Sequence, residues 1–255
     1  MIRIVTYNVN GIRSAISKGW LDWVATTAPD IICLQEIKAE AGQIDETPLR
    51  DMGYELYWNS AQKKGYSGTA IFTKIKPVQV FYGCGIDDYD REGRVIRADF
   101  ERFSVMCTYF PSGSSGDVRQ DVKMRFLGDF QQYIDTLKQT VPNLIILGDV
   151  NICHKPVDIH DPISNKKSSG FLPEERAWFD GFVGSGFVDT FRKFNEEPHH
   201  YTWWSLRAAS RERNKGWRID YALAADSLAE HISRCVILPE AKHSDHCPVL
   251  VELDF

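Results

Sequence analysis

Residues 144–154 read LIILGDVNICH, four aliphatic side chains running into Gly148, Asp149 and Asn151. An aliphatic run of that length has no polar face, so it predicts a strand, 144–147, buried on both sides by other layers. Its end is polar. Side chains alternate with period two along an extended chain, so a strand that continued would put Asp149 and Asn151 on one face as a carboxylate beside an amide. The other reading is a polar turn, since Gly, Asp and Asn are common turn formers. The rest of the chain decides between them.

Working outward, strand patterns recur at 2–7, 31–35, 54–59, 69–73, 78–82, 94–100, 104–109, 219–223, 232–237 and 249–253. Segments 94–100 and 104–109 are joined by a short polar turn, which predicts an antiparallel hairpin within a mixed sheet. Between the strands, 117–139 carries Phe126, Phe130, Ile134 and Leu137 at three- and four-residue spacing, the apolar stripe of a helix. Shorter helices are predicted from Ser17 or Lys18 to Thr27, and over 173–183, where Pro173 precedes Glu174 and Glu175. Neither an internal repeat nor a Gly/Ser/Pro linker divides the chain. The expectation is one α/β domain over 1–255, a four-layer sandwich of two packed mixed β-sheets flanked by helices.

The 255 residues are 43% hydrophobic and 25% charged, ordinary values for a globular protein and unlike a disordered one. A net charge of -5 gives no whole-protein attraction for nucleic acid, so any polyanion must be met by a local patch. Six cysteines stand singly, without Cys-x-x-Cys pairs or zinc spacing. They read as thiols of a reducing, cytoplasmic compartment, with Cys33 and Cys107 as small core hydrophobes. The first strand pattern starts at Ile2, leaving no room for a signal peptide, and no apolar run approaches the roughly 20 residues of a bilayer span. A soluble protein with no membrane partner is expected.

The polar ending at 149–151 is repeated elsewhere. Asn8-Val9-Asn10-Gly11 follows the strand 2–7, Glu36 follows 31–35, and Ser244-Asp245-His246 precedes 249–253. Alone, each is an ordinary cap or surface pair; four strand ends with one chemistry point to one cleft. Glu36, Asp245 and the amide oxygens of Asn8 and Asn10 are hard donors suited to Mg²⁺, which keeps several waters for substrate phosphate. Asp149 adds a base and Asn151 an amide donor. His246 could be held by a second carboxylate such as Asp220, fixing its tautomer; an Asp220–Arg218 ion pair is the alternative. Acidic ligands, an imidazole and amides suit phosphoester hydrolysis better than acyl transfer.

Segment 202–218 carries Arg207, Arg211, Arg213, Lys215 and Arg218 against one acid, Glu212, beside Trp203, Trp204 and Trp217. Such a stretch reads as a phosphate track with aromatics for bases or a baseless sugar. It reads equally as a solvated loop over core tryptophans.

Eight blocks in order, Asn8-Val9-Asn10-Gly11-Ile12-Arg13, Leu34-Gln35-Glu36-Ile37-Lys38, Gly65-Tyr66-Ser67-Gly68, Tyr109-Phe110-Pro111, Gly148-Asp149-Val150-Asn151, Ser169-Gly170-Phe171, Gly216-Trp217-Arg218-Ile219-Asp220-Tyr221 and Ser244-Asp245-His246, resemble the exonuclease III family of abasic-site DNA repair endonucleases. The resemblance spans essentially the whole chain. It implies two mixed sheets packed face to face, with the active site at one edge of the sandwich. It implies Glu36 as principal Mg²⁺ ligand, with Mn²⁺ able to substitute, assisted by Asn10 and Asp245; Asn10 departs from relatives with Asp and removes one negative charge.

By the same resemblance Asp149 would orient or deprotonate water, Asn151 would position it, His246 held by Asp220 would donate to a phosphate oxygen, and Tyr109 and Asn8 would hold the phosphate. The implied reaction is in-line attack 5′ to an abasic site, with trimming of 3′ ends, on double-stranded DNA by a monomer. Trp203, Trp217 and Ile219 would wall the pocket for the flipped-out sugar, while Arg13, Tyr66, Lys123, Asn165 and Ser168 would lie along the DNA backbone. Ser168 and Ser112 stand where many relatives have Asn, which bears on the balance of incision against end trimming. The rival readings are a superfamily phosphodiesterase acting on phospholipid or inositol phosphate, and a catalytically silent binder of RNA or a partner.

Overall fold

The aliphatic run at 144 lies inside a sheet of six strands. In the computed structural model, which describes residues 1–255, that sheet runs in the order Gln79–Tyr82, Val95–Asp99, Ser104–Tyr109, Leu144–Asp149, Asp220–Ala225 and Phe187–Asp189. A second sheet of six runs Ile232–Ile237, Val249–Leu253, Ile2–Asn8, Ile31–Gln35, Thr69–Thr73 and Glu55–Asn59. Both are mixed. Each holds one parallel pair, Ser104–Tyr109 with Leu144–Asp149 and Ile2–Asn8 with Ile31–Gln35, and the remaining pairs are antiparallel. The hairpin of Val95–Asp99 and Ser104–Tyr109 forms as its turn predicts.

The period of two explains the run. Ile145 and Leu147 face the other sheet, packing with Ile4, Cys33, Ile71, Cys107 and Val251, while Leu144 and Ile146 face the helices Asp117–Leu137 and Pro173–Gly184 through Phe126, Phe130, Ile134, Phe179 and Phe182. On the outer face of the second sheet, Ile12, Ala15, Trp20 and Val24 cover Val5, Tyr7, Ile32, Leu34 and Phe72. The order helix, sheet, sheet, helix is therefore the four-layer sandwich. All six cysteines are free thiols. No helix is long and apolar enough to cross a membrane.

The structure corrects several boundaries. The strand at 144 runs on to Asp149 and stops there; Asn151, at φ 55, has turned into the left-handed region, so the turn reading holds and the two side chains do not share a strand face. The helix expected from Ser17 or Lys18 to Thr27 starts later, at Trp20, and a separate helix that was not expected, Ile12–Ser17, precedes it across Gly19 at φ 86, a conformation glycine adopts without a Cβ penalty. The helix at 117 ends at Leu137, and the strand expected at 219–223 is Asp220–Ala225. Trp203–Trp204 and Gly216–Trp217 pair as a two-stranded ribbon, with Trp203 opposite Trp217, too short to show a period in sequence.

Candidate active site

Register sets the first row of the site. Tyr109 pairs with Asp149, and Asp149 with Asp220, so three polar residues stand side by side at the ends of three neighbouring strands. The second sheet ends opposite them at Asn8, and the two sheets meet through a 2.9 Å hydrogen bond from Asn8 Nδ2 to Asp149 Oδ2. The same amide group donates to Glu36 Oε1 at 2.9 Å. Four residues at these strand ends, Asn10, Glu36, Lys38 and Asn151, have positive φ, which turns the chain abruptly after each strand and keeps its last side chain in the cleft.

His246 completes the row. Its Nδ1 lies 2.9 Å from Asp220 Oδ2 and its Nε2 3.9 Å from Asp149 Oδ2, with all three residues buried. Thr202 Oγ1 also donates to Asp220 Oδ2 at 2.6 Å while accepting from the backbone of Ile219 and Asp220. Asp220 is thus a partner of His246. Arg218, the alternative partner, turns away into a buried cluster with Asp158 (2.7 Å) and Asp189 (2.6 Å).

Around Glu36 the polar side chains form a chain of contacts. Lys38 Nζ lies 2.9 Å from Glu36 Oε2 and donates to Asn10 Oδ1 at 2.5 Å; Asn10 Nδ2 donates to Asp245 Oδ1 at 2.9 Å; Trp203 Nε1 donates to Asp245 Oδ2 at 3.0 Å. Glu36, Asn10 and Asp245 are therefore brought together. The ligand atoms of Glu36, Asp149 and His246 also lie within 4.8 Å of one another. His246 is a poor donor for a metal in this state, because surrounding carboxylates favour the protonated ring, whose Nε2 carries a proton. Glu36, common to both groupings, is the best ligand.

Electrostatics follow from four carboxylates, Glu36, Asp149, Asp220 and Asp245, packed near one lysine. Burial and the charge of Asp220 push the Asp149 carboxyl well up. Burial would lower His246, yet the charge and hydrogen bond of Asp220, followed by Asp149 and Asp245, raise it. Burial would also raise Glu36, but Lys38 and the Asn8 amide hold it below the usual range; His246, Asn10 and Trp203 do the same for Asp245. A buried excess of hard carboxylate oxygens is the chemistry that a divalent cation such as Mg²⁺ fits. Tyr109 is pushed far up by burial and by the charges of Glu36 and Asp149, so its hydroxyl remains a donor.

These groups line one cavity of about 820 Å³. Asp149, Asn151, Glu36, Tyr109, Asp245 and His246 lie on its wall, with Trp203, Trp217, Ile219, Ser112 and Ser168 around it. The rings of Trp203 and Trp217 meet edge to face at 6.0 Å. Gly170 backs this wall: at φ 95, a Cβ there would lie 2.9 Å from the Trp217 ring. Among the residues expected along DNA, Arg13 is exposed and Tyr66, Asn165 and Ser168 are half-buried, with Ser168 Oγ donating to Asn165 Oδ1 at 3.3 Å.

Asn8, expected to hold the phosphate, is fully buried with its amide spent on Glu36, Asp149 and the backbone N–H of Asn10, so it positions those carboxylates instead. Lys123 is the second correction. It is fully buried, 2.6 Å from Glu175 Oε1 and 2.7 Å from the Asn151 carbonyl, so its ammonium supports the Asn151 turn from behind and is shielded from any outside polyanion. Sequence reasoning also missed Lys38, Arg94 and Thr202. Arg94, buried, donates to the Tyr109 carbonyl at 2.9 Å and lies over its ring at 4.9 Å. Only the i, i+2 spacing of Glu36 and Lys38 left a signal.

Comparison with known proteins agrees with this geometry. Residues 5–246 match the model of the endonuclease/exonuclease/phosphatase family. An exodeoxyribonuclease of Bacillus subtilis is 43% identical over 97% of this chain and 98% of its own length, and the DNA repair nuclease APEX1 of Danio rerio is 37% identical over 99% and 82%. Among solved structures, an AP endonuclease from Archaeoglobus fulgidus superposes with a TM-score of 0.90 at 31% identity, covering all of both chains. A Neisseria 3′ phosphatase bound to product DNA hairpin gives 0.91 at 27%, also over both full chains. The chain belongs to the endonuclease/exonuclease/phosphatase family, in its branch of exodeoxyribonucleases and abasic-site DNA repair endonucleases.

Proposed function

We propose that this DNA repair nuclease hydrolyses the phosphodiester 5′ to an abasic site and trims blocked 3′ ends, acting as a monomer on double-stranded DNA. The observation that carries this reading is the unbroken polar row Asn8, Asp149, His246, Asp220 across the two sheets, with Glu36 beside it and tryptophans walling the same cavity. A silent binder would lack at least one member of that row. Six unpaired thiols support a reducing, cytoplasmic setting.

Asp149 in its ionised form orients the attacking water and receives its proton, and burial with the charge of Asp220 makes that carboxylate a stronger base than an exposed one. Asn8 fixes that carboxylate from the opposite sheet, and the backbone N–H of Asn151 donates to its other oxygen at 2.9 Å. His246, kept protonated and oriented by Asp220, donates to a phosphate oxygen as negative charge builds up, and Tyr109 and Asn151 add further donors from the same wall. Glu36, with Asn10 and Asp245, would hold Mg²⁺ or Mn²⁺, which supplies charge neutralisation at the phosphate and leaving oxygen. Trp203, Trp217 and Ile219 enclose the baseless sugar, and Arg13, Tyr66, Asn165 and Ser168 follow the backbone on either side.

The test is incision of a labelled duplex bearing one abasic analogue, with Mg²⁺ or with EDTA, beside the same duplex with a recessed 3′ end. Metal-dependent cutting 5′ to the lesion is expected. Failure of the folded protein to cut either substrate would overturn the reading.

A further inference from the structure

Arg211 belongs to the exposed basic loop between the two short strands of the tryptophan ribbon, and its sequence context marks it as one more phosphate contact. Its guanidinium is engaged elsewhere. Nη1 donates to the carbonyls of Ser244 (2.9 Å) and His246 (3.5 Å), and Nη2 to those of Pro239 (2.9 Å) and Ala241 (2.6 Å). Its flat face lies over the Trp204 ring at 4.6 Å. Every one of those four carbonyls belongs to segment 239–246, the stretch that ends in Asp245 and His246.

The bracket has a second arm. Trp204 N donates to the Asp245 carbonyl at 3.1 Å, while Trp204 Nε1 donates to Asn214 Oδ1 at 3.1 Å, tying the loop back onto the ring that Arg211 covers. Ala208, Ala209 and Asn214 are held at positive φ in this loop, so the turns that deliver Arg211 to its carbonyls are fixed by the surrounding contacts. Five N–H donors in a rigid plane suit four converging carbonyls; an ammonium has three donors on a flexible stem and no plane to stack on a ring.

We propose that Arg211 is a positioning residue for the reaction: it holds segment 239–246 so that His246 and Asp245 meet the phosphate, and it is not a contact to DNA. The proposal rests on the active-site reading given above. Its neighbours Arg207 and Arg213 are exposed on the same loop and keep the role of phosphate track. One loop thus joins outward cations to an inward clamp on the catalytic segment.

The experiment compares Arg211→Lys and Arg213→Ala with the unaltered chain on the abasic duplex, at several salt concentrations and saturating Mg²⁺. Displacing catalytic groups by about an ångström is worth on the order of 100-fold in rate, so Arg211→Lys should lose kcat on that order while KM and its salt slope hold. The one-dimensional proton spectrum of the DNA-free protein should show the His246 ring N–H resonance shifted by Arg211→Lys and unmoved by Arg213→Ala. Full activity in Arg211→Lys would overturn the proposal, because a phosphate contact needs only the charge. A raised KM with unchanged kcat would overturn it equally. If Arg211→Lys does not fold, Trp204→Phe removes the indole donor to Asn214 and leaves the backbone bond to Asp245, and an unmoved His246 resonance there is the overturning result. Should the unaltered chain fail to cut, the function reading falls by itself; cutting by the unaltered chain, with Arg211→Lys equal to it, sinks only the clamp.

Discussion

The strand ends line the cavity and the loop 205–215 lies between the two tryptophan strands outside it, and the two regions are built on opposite principles. At the strand ends, sheet register fixes the spacing. Tyr109, Asp149 and Asp220 are neighbours because their strands are neighbours, and Asn8 reaches Asp149 because the sheets are packed. In the loop no ladder sets positions, and individual side chains decide: Arg211 turns inward to four carbonyls while Arg207 and Arg213 stay in solvent. On the proposed function, the chemistry sits on the rigid strand ends and the loop adds exposed cations for the substrate's phosphates, which is how a scaffold combines precision with grip.

The largest expected effect tests the rigid side. Asp149→Asn preserves shape while removing the base and one of the two acceptor oxygens that meet Asn8 Nδ2 and Asn151 N, so the incision rate should fall on the order of 10²- to 10⁴-fold. Duplex affinity, measured by anisotropy with EDTA present, should stay unchanged, since Asp149 is 1% exposed and belongs to no phosphate track. Parallel loss of affinity and rate would dissolve the division of labour between strand ends and loop.

That division also explains what could be read in the sequence. Aliphatic runs such as 144–147 announce buried strands because both faces must be apolar, and the polar residue that ends each run marks the rim of the sandwich. Asp149, Glu36, Asn8 and His246 were legible for that reason. Cations were not. Lys123, Arg211 and Arg218 look in sequence like any basic surface residue, yet each is turned onto carbonyls or buried carboxylates by contacts from segments 28 or more residues away. Charge identifies a partner's sign and leaves its direction open. Trp203 and Trp217 were equally ambiguous, because a two-residue ribbon carries no period.

A buried cluster behind the row gives a second, smaller effect. Arg218 bonds Asp158 and Asp189, and Arg192 bonds Asp158 as well, at 2.6 Å. Burial alone would raise the Asp158 carboxyl; Arg218 and Arg192 outweigh it and hold the pKa down at about 2. A carboxylate depressed on folding contributes stability that is present above its unfolded value, near 3.8, and is lost as pH falls through about 2. The contribution is about 2 kcal/mol at neutral pH, from about 1.4 kcal/mol for each pH unit of depression. Chemical denaturation of the chain and of Asp158→Asn between neutral pH and pH 2 checks it: the stability gap between them should shrink over that window. A gap that stays constant would mean that the cluster's charge state does not matter to the fold, and that the rigid side owes its order to packing alone.

The smallest effect belongs to the loop and tests its outward face. Arg213 is exposed, so removing it deletes at most one phosphate contact from the track. Each such contact releases about 0.9 counterion, so Arg213→Ala should flatten the dependence of log affinity on log salt by about one unit. Its kcat at saturating substrate should equal that of the unaltered chain, because no strand-end group moves. The outcome matters most beside Arg211, two residues earlier in the same loop. If both positions changed the salt slope, the loop would be a uniform basic patch; if Arg213 alters the slope and Arg211 the turnover, two neighbouring arginines of identical chemistry are separated by nothing except the direction in which the backbone points them.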